Sequence, residues 1–237
     1  LVFKGWQRTS LIEYPGRIST VLFTGGCNLR CPFCYNAELV LDPEAIPDLP
    51  EDTVLDYLRA NRRLYQAVMV TGGEPTLAAD LPQFFTRVKS LGLLRGLETN
   101  GTNPAMLETL LSGKQVEFVA LDLKAALSWA DYRRAAGLSA AQREILALVR
   151  RSVELLRGSA VEQELRLTVV PGLHEERQFT TLARQLAGVR RVVLQQFVPG
   201  KTLDPELSRG RPLPLSGLQR LAALLAPRVG SVEIRGA

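Results

Sequence analysis

Histidine is nearly absent from this 237-residue chain: His174 is the only one. A metal site built on several histidines is therefore excluded, and so is catalysis that pairs them. Cysteine is scarce too, with three residues in all, and an odd number cannot be consumed by internal disulfides. No apolar run approaches the ~20 residues that a membrane-crossing helix needs. The opening residues, Leu1-Val2-Phe3-Lys4-Gly5, lack a charged leader followed by an apolar stretch, so no secretory signal is expected. An initiator Met is also missing, so some residues ahead of Leu1 are expected to be absent from this sequence. The expected location is cytoplasmic.

What is present is ordinary in amount. Hydrophobic residues make up 46% and charged residues 22%, which suits a packed core and argues against disorder. The length suits one α/β domain and leaves little room for a second. Lys and Arg outnumber Asp and Glu by 29 to 24, giving a net charge of +5 and a pI near 9.4. That balance is compatible with an acidic partner surface. The basic residues are dispersed, apart from short clusters at Arg62-Arg63, Arg133-Arg134, Arg150-Arg151 and Arg190-Arg191. No recognised nucleic-acid motif accompanies them, so an ordinary solvated surface is expected and nucleic acid is not an expected partner.

Hydrophobic periodicity gives a regular rhythm. Strands are expected at residues 19–24, 67–71, 94–99, 116–121, 164–170 and 191–197, with a short closing strand at 231–234. Helices are expected between them at residues 53–63 with Asp52 as N-cap, 81–91, 104–111 with Asn103 as cap, 140–157 and 175–186, and again at 215–225. Strand–helix alternation repeated about six times is the pattern of parallel βαβ units. In such sheets ligands sit where the carboxyl ends of the strands converge. Each distinctive motif falls just there: the cysteine loop after the first strand, Gly72-Gly73-Glu74-Pro75 after the second, Asn100-Gly101 after the third and Asp122-Leu123-Lys124 after the fourth.

All three cysteines lie in Cys27-Asn28-Leu29-Arg30-Cys31-Pro32-Phe33-Cys34, a C-x3-C-x2-C spacing. Three thiolates on one tight loop can hold three irons of a [4Fe-4S] cube and leave the fourth iron without a protein ligand. The alternatives are a structural zinc site completed by His174, and cysteines with no ligand at all. Structural zinc prefers paired C-x2-C knuckles with a closed ligand set, and His174 sits in a distant strand-end loop. By itself His174 reads as a loop or capping residue, Asp122 and Lys124 as a surface pair, and Trp6, Tyr14 and Trp129 as packing residues with partner-facing anchors as the alternative.

Taken together, the cysteine loop and Gly72-Gly73-Glu74-Pro75 resemble the two signature motifs of the radical S-adenosylmethionine superfamily. The aromatic Phe33 before the third cysteine adds to the match. Glu98-Thr99-Asn100-Gly101, Asp122-Leu123-Lys124 and Val169-Val170-Pro171-Gly172-Leu173-His174 are similar to the activating enzymes of glycyl radical enzymes. Ser10-Leu11-Ile12-Glu13-Tyr14-Pro15-Gly16, Leu194-Gln195-Gln196-Phe197 and Thr202-Leu203-Asp204-Pro205 resemble the branch described as activating proteins of anaerobic ribonucleoside-triphosphate reductase.

The resemblance implies a partial (βα)6 TIM-like barrel with outer helices. One domain over residues 1–237 is expected, with a core at about 17–200 and a C-terminal helix and strand beyond it. Cys27, Cys31 and Cys34 would ligate a [4Fe-4S] cluster whose open iron takes the amino and carboxylate groups of S-adenosylmethionine. Phe33 and Tyr35 would flank the adenine. Gly72, Gly73 and Glu74 would meet the methionyl ammonium, Glu98 or Asn100 the ribose or methionyl part, and Lys124 the methionyl carboxylate. Glu98 and Asp122 are alternatively implied as holders of a monovalent cation. Reductive cleavage would yield a 5′-deoxyadenosyl radical that takes hydrogen from a glycine of a partner, anaerobic ribonucleotide reductase, with a reduced flavodoxin or ferredoxin-type electron donor. Three cysteines leave none for an auxiliary cluster. The competing readings are a radical enzyme acting on a small molecule, such as a carboxy-deazaguanine synthase-like activity, and a non-catalytic metal-binding module.

Overall fold

The computed structural model describes residues 1–236. The chain begins with β1 (Val2–Phe3), β2 (Gly5–Ser10) and β3 (Ser19–Thr24), then α1 (Ala37–Leu41), β4 (Leu49–Pro50) and α2 (Glu51–Ala60). Strand and helix then alternate through β5 (Ala67–Gly72), α3 (Leu81–Ser90), β6 (Leu94–Thr99), α4 (Pro104–Ser112) and β7 (Phe118–Asp122). The remainder runs α5 (Trp129–Ala136), α6 (Ile145–Gly158), β8 (Glu162–Val169), α7 (Glu176–Gln185), β9 (Val192–Gln196), α8 (Leu215–Leu225) and β10 (Val232–Arg235). β1 and β4 form a small antiparallel pair. The other eight strands form one sheet in the order β10-β9-β8-β7-β6-β5-β3-β2. All its pairings are parallel except that of β2 with β3. β2 and β10 stand at opposite edges, so the sheet remains open on one side. An α/β fold with a mostly parallel central sheet and surrounding helices is thus present.

Local chemistry explains most element boundaries. α3 buries Leu81, Phe84, Phe85 and Val88, one stripe at helical spacing, with both phenylalanines fully buried. Each such side chain contributes roughly 1.5–3 kcal/mol by leaving water. Asn103 caps α4 by accepting from the Met106 amide at 3.2 Å, with Pro104 in the first turn. α2 departs from expectation. It starts at Glu51 rather than residue 53, and Asp52 is not its cap. Pro50 occupies the cap position in an extended conformation because its backbone belongs to β4. The Asp52 carboxylate pairs instead with Arg87 on α3. The helix expected at 140–157 is divided: a one-turn 3-10 helix, Ala140–Gln142, closed by a Ser139/Gln142 capping box, precedes α6. β1, β2, β4, α1 and α5 were not expected, being short or lacking a clean period.

The inner face of the sheet has a core of its own. Tyr14, Val21, Ala67, Met69, Phe118 and Ala120 pack together there, apart from the larger core between sheet and helices. The loop between β2 and β3 delivers Tyr14, whose ring lies 5.2 Å from that of Phe118. Position 96 must be glycine for this to fit, since a Cβ would run into the Met69 sulfur and press on Tyr14. Tyr14 is therefore a core residue and not an exposed anchor. Trp6 packs edge-on against Tyr57 at 5.1 Å and donates to Thr20 Oγ1 at 2.7 Å, so it too serves packing. The Tyr14 loop closes the inner space near the beginnings of the strands, leaving the other end to the site.

The plugging role of Tyr14 is directly testable. Replacing Tyr14 by Ala is expected to cost about 3–5 kcal/mol, as for other large buried aromatics. Replacing Ile12, which lies on the same loop and is 73% exposed, is expected to change stability by less than about 0.5 kcal/mol. Denaturant midpoints of the two variants check this.

Candidate active site

The candidate cluster and cofactor residues, Cys27, Cys31, Phe33, Cys34, Tyr35, Gly72, Gly73, Glu74, Glu98, Asn100, Asp122 and Lys124, all line one cavity of ≈ 540 Å³ at the carboxyl ends of the parallel strands, which His174 and the Ser10–Gly16 and Thr202–Pro205 motifs do not line. Its first wall is the cysteine loop. β3 ends at Thr24 and the chain turns through Gly26, whose φ of +79° suits glycine. Cys31 is buried, while Cys27 and Cys34 are partly exposed, and all three are free thiols. The Cys34 amide donates to the Cys31 carbonyl at 3.0 Å, which keeps the last two close. The Leu29 amide donates to Cys27 Sγ at 3.4 Å, and Asn100 Nδ2 approaches the same sulfur at 3.7 Å. Burial raises all three thiol pKa values, that of Cys31 to about 12. Thiolates here therefore require a strongly cationic partner.

The second wall is the Gly72-Gly73-Glu74 turn after β5. The Gly73 amide donates to the Thr24 carbonyl and the Glu74 amide to the Gly26 carbonyl, each at 2.8 Å. The two strand-end loops lie backbone on backbone. A Cβ on Gly73 would collide with the Gly26 carbonyl oxygen, and Gly72, at φ +118°, faces the Thr24 backbone in the same way. Both glycines are thus demanded by the protein's own chain. Glu74 is buried, and its carboxylate is fully engaged. Oε1 accepts from the Thr76 amide (3.1 Å), Thr76 Oγ1 (2.5 Å) and Thr99 Oγ1 (2.7 Å); Oε2 accepts from the Asn100 amide (2.7 Å). Desolvation raises its pKa against these donors. The carboxylate braces β5 against β6, so what this turn can offer a ligand is backbone.

Charged groups make up the far wall. Lys124 Nζ donates to Asp122 Oδ2 at 3.2 Å, while Asp122 Oδ1 is buried with no partner. Burial works most strongly on Lys124 and against its charge, but Asp122, Cys31 and Tyr132 together outweigh it and the ammonium pKa ends above its usual value. Glu98 Oε2 accepts from Arg166 Nη1 at 3.1 Å. Burial pushes Glu98 up to about 7 in spite of Arg166, with the Asp122 and Glu13 charges adding to the rise. Arg166, 3% exposed, also bonds Glu13 Oε2 at 3.2 Å and Glu164 Oε1 at 2.6 Å. Arg235 donates twice to Glu164, at 2.7 Å each. Glu98 thus already has a cationic neighbour, and among the described residues no three Cys, His, Asp or Glu side chains gather as a single-ion site. His174 is occupied as well: Nδ1 accepts from the Val170 amide at 2.9 Å, and Nε2 donates to the Lys124 carbonyl at 2.7 Å. It holds the lysine strand end in place.

Phe33 is buried and meets His174 edge-on, with ring centres 6.1 Å apart. Tyr35 is exposed at the cavity rim, where its hydroxyl accepts from the Val198 amide at 2.8 Å and its ring stacks on Phe197. Several contributors escaped the sequence reading. Asn28 accepts from Asn100 Nδ2 (3.1 Å) and donates to Thr102 Oγ1 (2.8 Å), tying the cysteine loop to the end of β6. The Leu203 and Asp204 amides donate to the Cys34 and Pro32 carbonyls at 3.1 and 2.8 Å. The Thr202–Pro205 motif is therefore a clamp on the cysteine loop. Thr168 completes the lining, together with Gln195 and Gln196 of the Leu194–Phe197 motif already noted in the sequence. Alternation along β8 from Glu164 through Arg166 to Thr168 was the available signal for the first of these.

The donor set fits an iron–sulfur cluster with S-adenosylmethionine beside it. Three thiols face a cavity, glycine backbone is accessible next to them, and a lysine ammonium and an unpartnered carboxylate oxygen stand opposite, suited to a ligand carrying both a carboxylate and an amine. Comparison with known proteins agrees at the level of family. The model of the Radical SAM superfamily matches residues 21–182, more than half of the chain. A protein of Methanocaldococcus jannaschii, provisionally assigned as a glycyl-radical enzyme activating enzyme, is 29% identical over 231 residues, 95% of this chain and 92% of that protein. A 7-carboxy-7-deazaguanine synthase of Hyperthermus butylicus is 36% identical over 133 residues, 52% of this chain and 55% of the relative. Among solved structures, Streptococcus suis SuiB bound to S-adenosylmethionine superposes with a TM-score of 0.66 at 16% identity, covering 92% of this chain and 52% of that one.

Two outcomes check this geometry. Gly73→Ala is expected to force the cysteine loop away from β5 and lower stability by about 2 kcal/mol or more, a strain that Gly158→Ala, which meets open space, avoids. Unfolding of both variants measures the difference. His174 is held neutral by burial, with its pKa below the usual 6.5. The unfolded chain therefore binds the proton more readily, so stability is full above about pH 6.5 and declines as pH falls below it. Chemical unfolding of wild type and His174→Gln between pH 5 and 8 is expected to show wild type losing stability relative to the variant as pH falls, a difference in which groups common to both, such as Glu98, cancel.

Proposed function

The chain belongs to the radical S-adenosylmethionine superfamily, and on that premise we propose that it activates a partner glycyl radical enzyme. Enzymes of this family use a [4Fe-4S] cluster and S-adenosylmethionine, which when bound supply a radical able to abstract hydrogen. In this reading Cys27, Cys31 and Cys34 hold the cluster and leave one iron for the cofactor. Lys124 pairs with the methionyl carboxylate, and Asp122 Oδ1 supplies the acceptor opposite. Backbone of Gly72 and Gly73 faces the ammonium, braced by the Glu74 carboxylate. Phe33 and Tyr35 border the adenine side, and Glu98 and Asn100 the ribose side. The protein's task is to orient these groups and keep water out, which the buried Cys31, Phe33 and Glu74 serve. One domain spanning the chain, with its core at about 17–200, is part of the same proposal.

The observation that carries the activase reading is the near end-to-end relationship to the M. jannaschii protein, 231 aligned residues covering almost all of both chains. The sheet is open between β2 and β10, which suits entry of a loop from a large partner. Anaerobic ribonucleoside-triphosphate reductase is the partner proposed, on the Ser10–Gly16 and Thr202–Pro205 motifs. Both motifs work within the cavity's own architecture, since Glu13 bonds Arg166 and the second clamps the cysteine loop. A second reading, a small-molecule substrate, is favoured by the carboxy-deazaguanine synthase relative and by the polar wall of Thr168, Gln195 and Gln196.

Anaerobically reconstituted protein, given S-adenosylmethionine, dithionite and the reductase, is expected to produce a glycyl radical signal by electron paramagnetic resonance. Normal release of 5′-deoxyadenosine without that signal would overturn the activase assignment and favour the small-molecule reading. Lys124→Met removes one charge-assisted contact and is expected to weaken S-adenosylmethionine binding by about 10- to 100-fold in equilibrium titrations, with Lys124→Arg intermediate.

A further inference from the structure

The cysteine loop has a second face. Its cavity side is formed by Cys27, Leu29, Cys31, Phe33 and Cys34, and Arg30 takes no part in that lining and is exposed. The Arg30 guanidinium folds over the loop from outside, Nη1 donating to the Cys27 carbonyl at 2.7 Å and the Leu29 carbonyl at 2.9 Å. Helix α5 is joined to this face. The Arg30 amide donates to the Ala136 carbonyl at 3.0 Å, and Gly137, at φ +64°, sits so close to the Arg30 carbonyl that no Cβ fits. α5 ends in Arg133 and Arg134, both exposed, and Arg143 lies over the Trp129 ring, 5.5 Å from its centre. Trp129, Arg133, Arg134 and Leu138 wall a shallow depression of ≈ 490 Å³ beside the loop.

The charge here is uneven in a useful way. Of the four arginine doublets in the sequence, Arg133-Arg134 is carried by the helix that is hydrogen-bonded to the cysteine loop. The carboxylates nearby are few: Glu175 lies 4.0 Å from Arg134, Asp131 is buried and tied to Ser128 and Arg177, and Glu144 is exposed beside Arg143 in sequence. Exposed guanidinium groups around a half-buried tryptophan suit a carboxylate-rich protein surface.

We propose that this face, made of Arg30 and the end of α5, docks an acidic protein that carries single electrons to the cysteine loop. The proposal rests on the radical reading above, because reductive cleavage is what gives such a face a task. A substrate has to enter the cavity, whereas an electron needs only a short path through the loop that bears the thiols. In each turnover the donor is oxidised by one electron and the cluster is reduced by one, with no atom transferred across the face. Nucleic acid fits less well, since the patch is confined to one loop and one short helix and does not extend into a basic track along which a phosphate backbone could run.

The test uses the reconstituted holoenzyme and an acidic flavodoxin as probe. Titration calorimetry is expected to show binding at about 50 mM salt that weakens several-fold by about 200 mM, as screened charge pairs do. The double variant Arg133→Glu/Arg134→Glu is expected to bind about tenfold more weakly. Flavodoxin-driven 5′-deoxyadenosine formation is expected to fall in the same ratio, while formation driven by dithionite stays unchanged. Arg143→Gln, a milder change, is expected to weaken flavodoxin binding about threefold and reads out the same face if the double variant does not fold. Equal flavodoxin binding by wild type and variants, equal loss with dithionite, or binding of single-stranded RNA in place of flavodoxin at this face would overturn the proposal. Wild type that binds flavodoxin in this way but forms no 5′-deoxyadenosine with dithionite supports the docking face and contradicts the radical reading, so the two fail separately.

Discussion

The site depends on one close approach, backbone against backbone, between the root of the cysteine loop and the turn after β5. Gly73 can sit this near the Gly26 carbonyl only because it carries no side chain, while Gly26 is needed for its positive φ, and the Gly73 and Glu74 amides donate to the Thr24 and Gly26 carbonyls across the contact. This contact sets where the three thiols stand relative to β5. Glu74 then fixes β5 to β6 through a carboxylate that accepts from two backbone amides and two hydroxyls. A buried carboxylate is costly unless its lone pairs are satisfied, and here four donors satisfy them. The motif thus secures the walls of the cavity as well as offering backbone to a ligand.

A second constraint runs through the inner face of the sheet. Near the strand beginnings this face is apolar, closed by Tyr14 over Met69 and Phe118. Further along it becomes a chain of charges in which Arg166 joins Glu13, Glu98 and Glu164, and Arg235 secures Glu164 from the last strand. Buried ion pairs of this kind add little net stability, because desolvation offsets most of the attraction. What they provide is position. The loop carrying Glu13 and Tyr14 both fills the closed end and reaches the charged floor of the cavity, so fold and site share one set of contacts.

Much of this was legible in the sequence because its signals are local. The C-x3-C-x2-C spacing, the Gly-Gly-Glu-Pro turn and the strand-end positions of Glu98, Asp122 and Lys124 all fall within single loops or strands. Asn103 as a helix cap was readable for the same reason. The parts that were missed depend on distant partners. Arg166 meets Glu13 across 153 positions of sequence, and Thr202–Pro205 docks on a loop that lies far earlier in the chain. Asp52 looked like a cap by local rules, yet pairing of β4 with β1 put Pro50 in that place. The part played by His174 was also hidden, since only the folded chain brings its ring to the Lys124 carbonyl.

The central claim is that Cys27, Cys31 and Cys34 hold a four-iron cluster with one iron left for S-adenosylmethionine. Electron paramagnetic resonance of the reduced, anaerobically reconstituted protein, recorded before and after addition of S-adenosylmethionine, addresses it most directly. The account predicts a [4Fe-4S] signal whose shape and g values change when the cofactor is added. A signal that stays the same with saturating S-adenosylmethionine would contradict it.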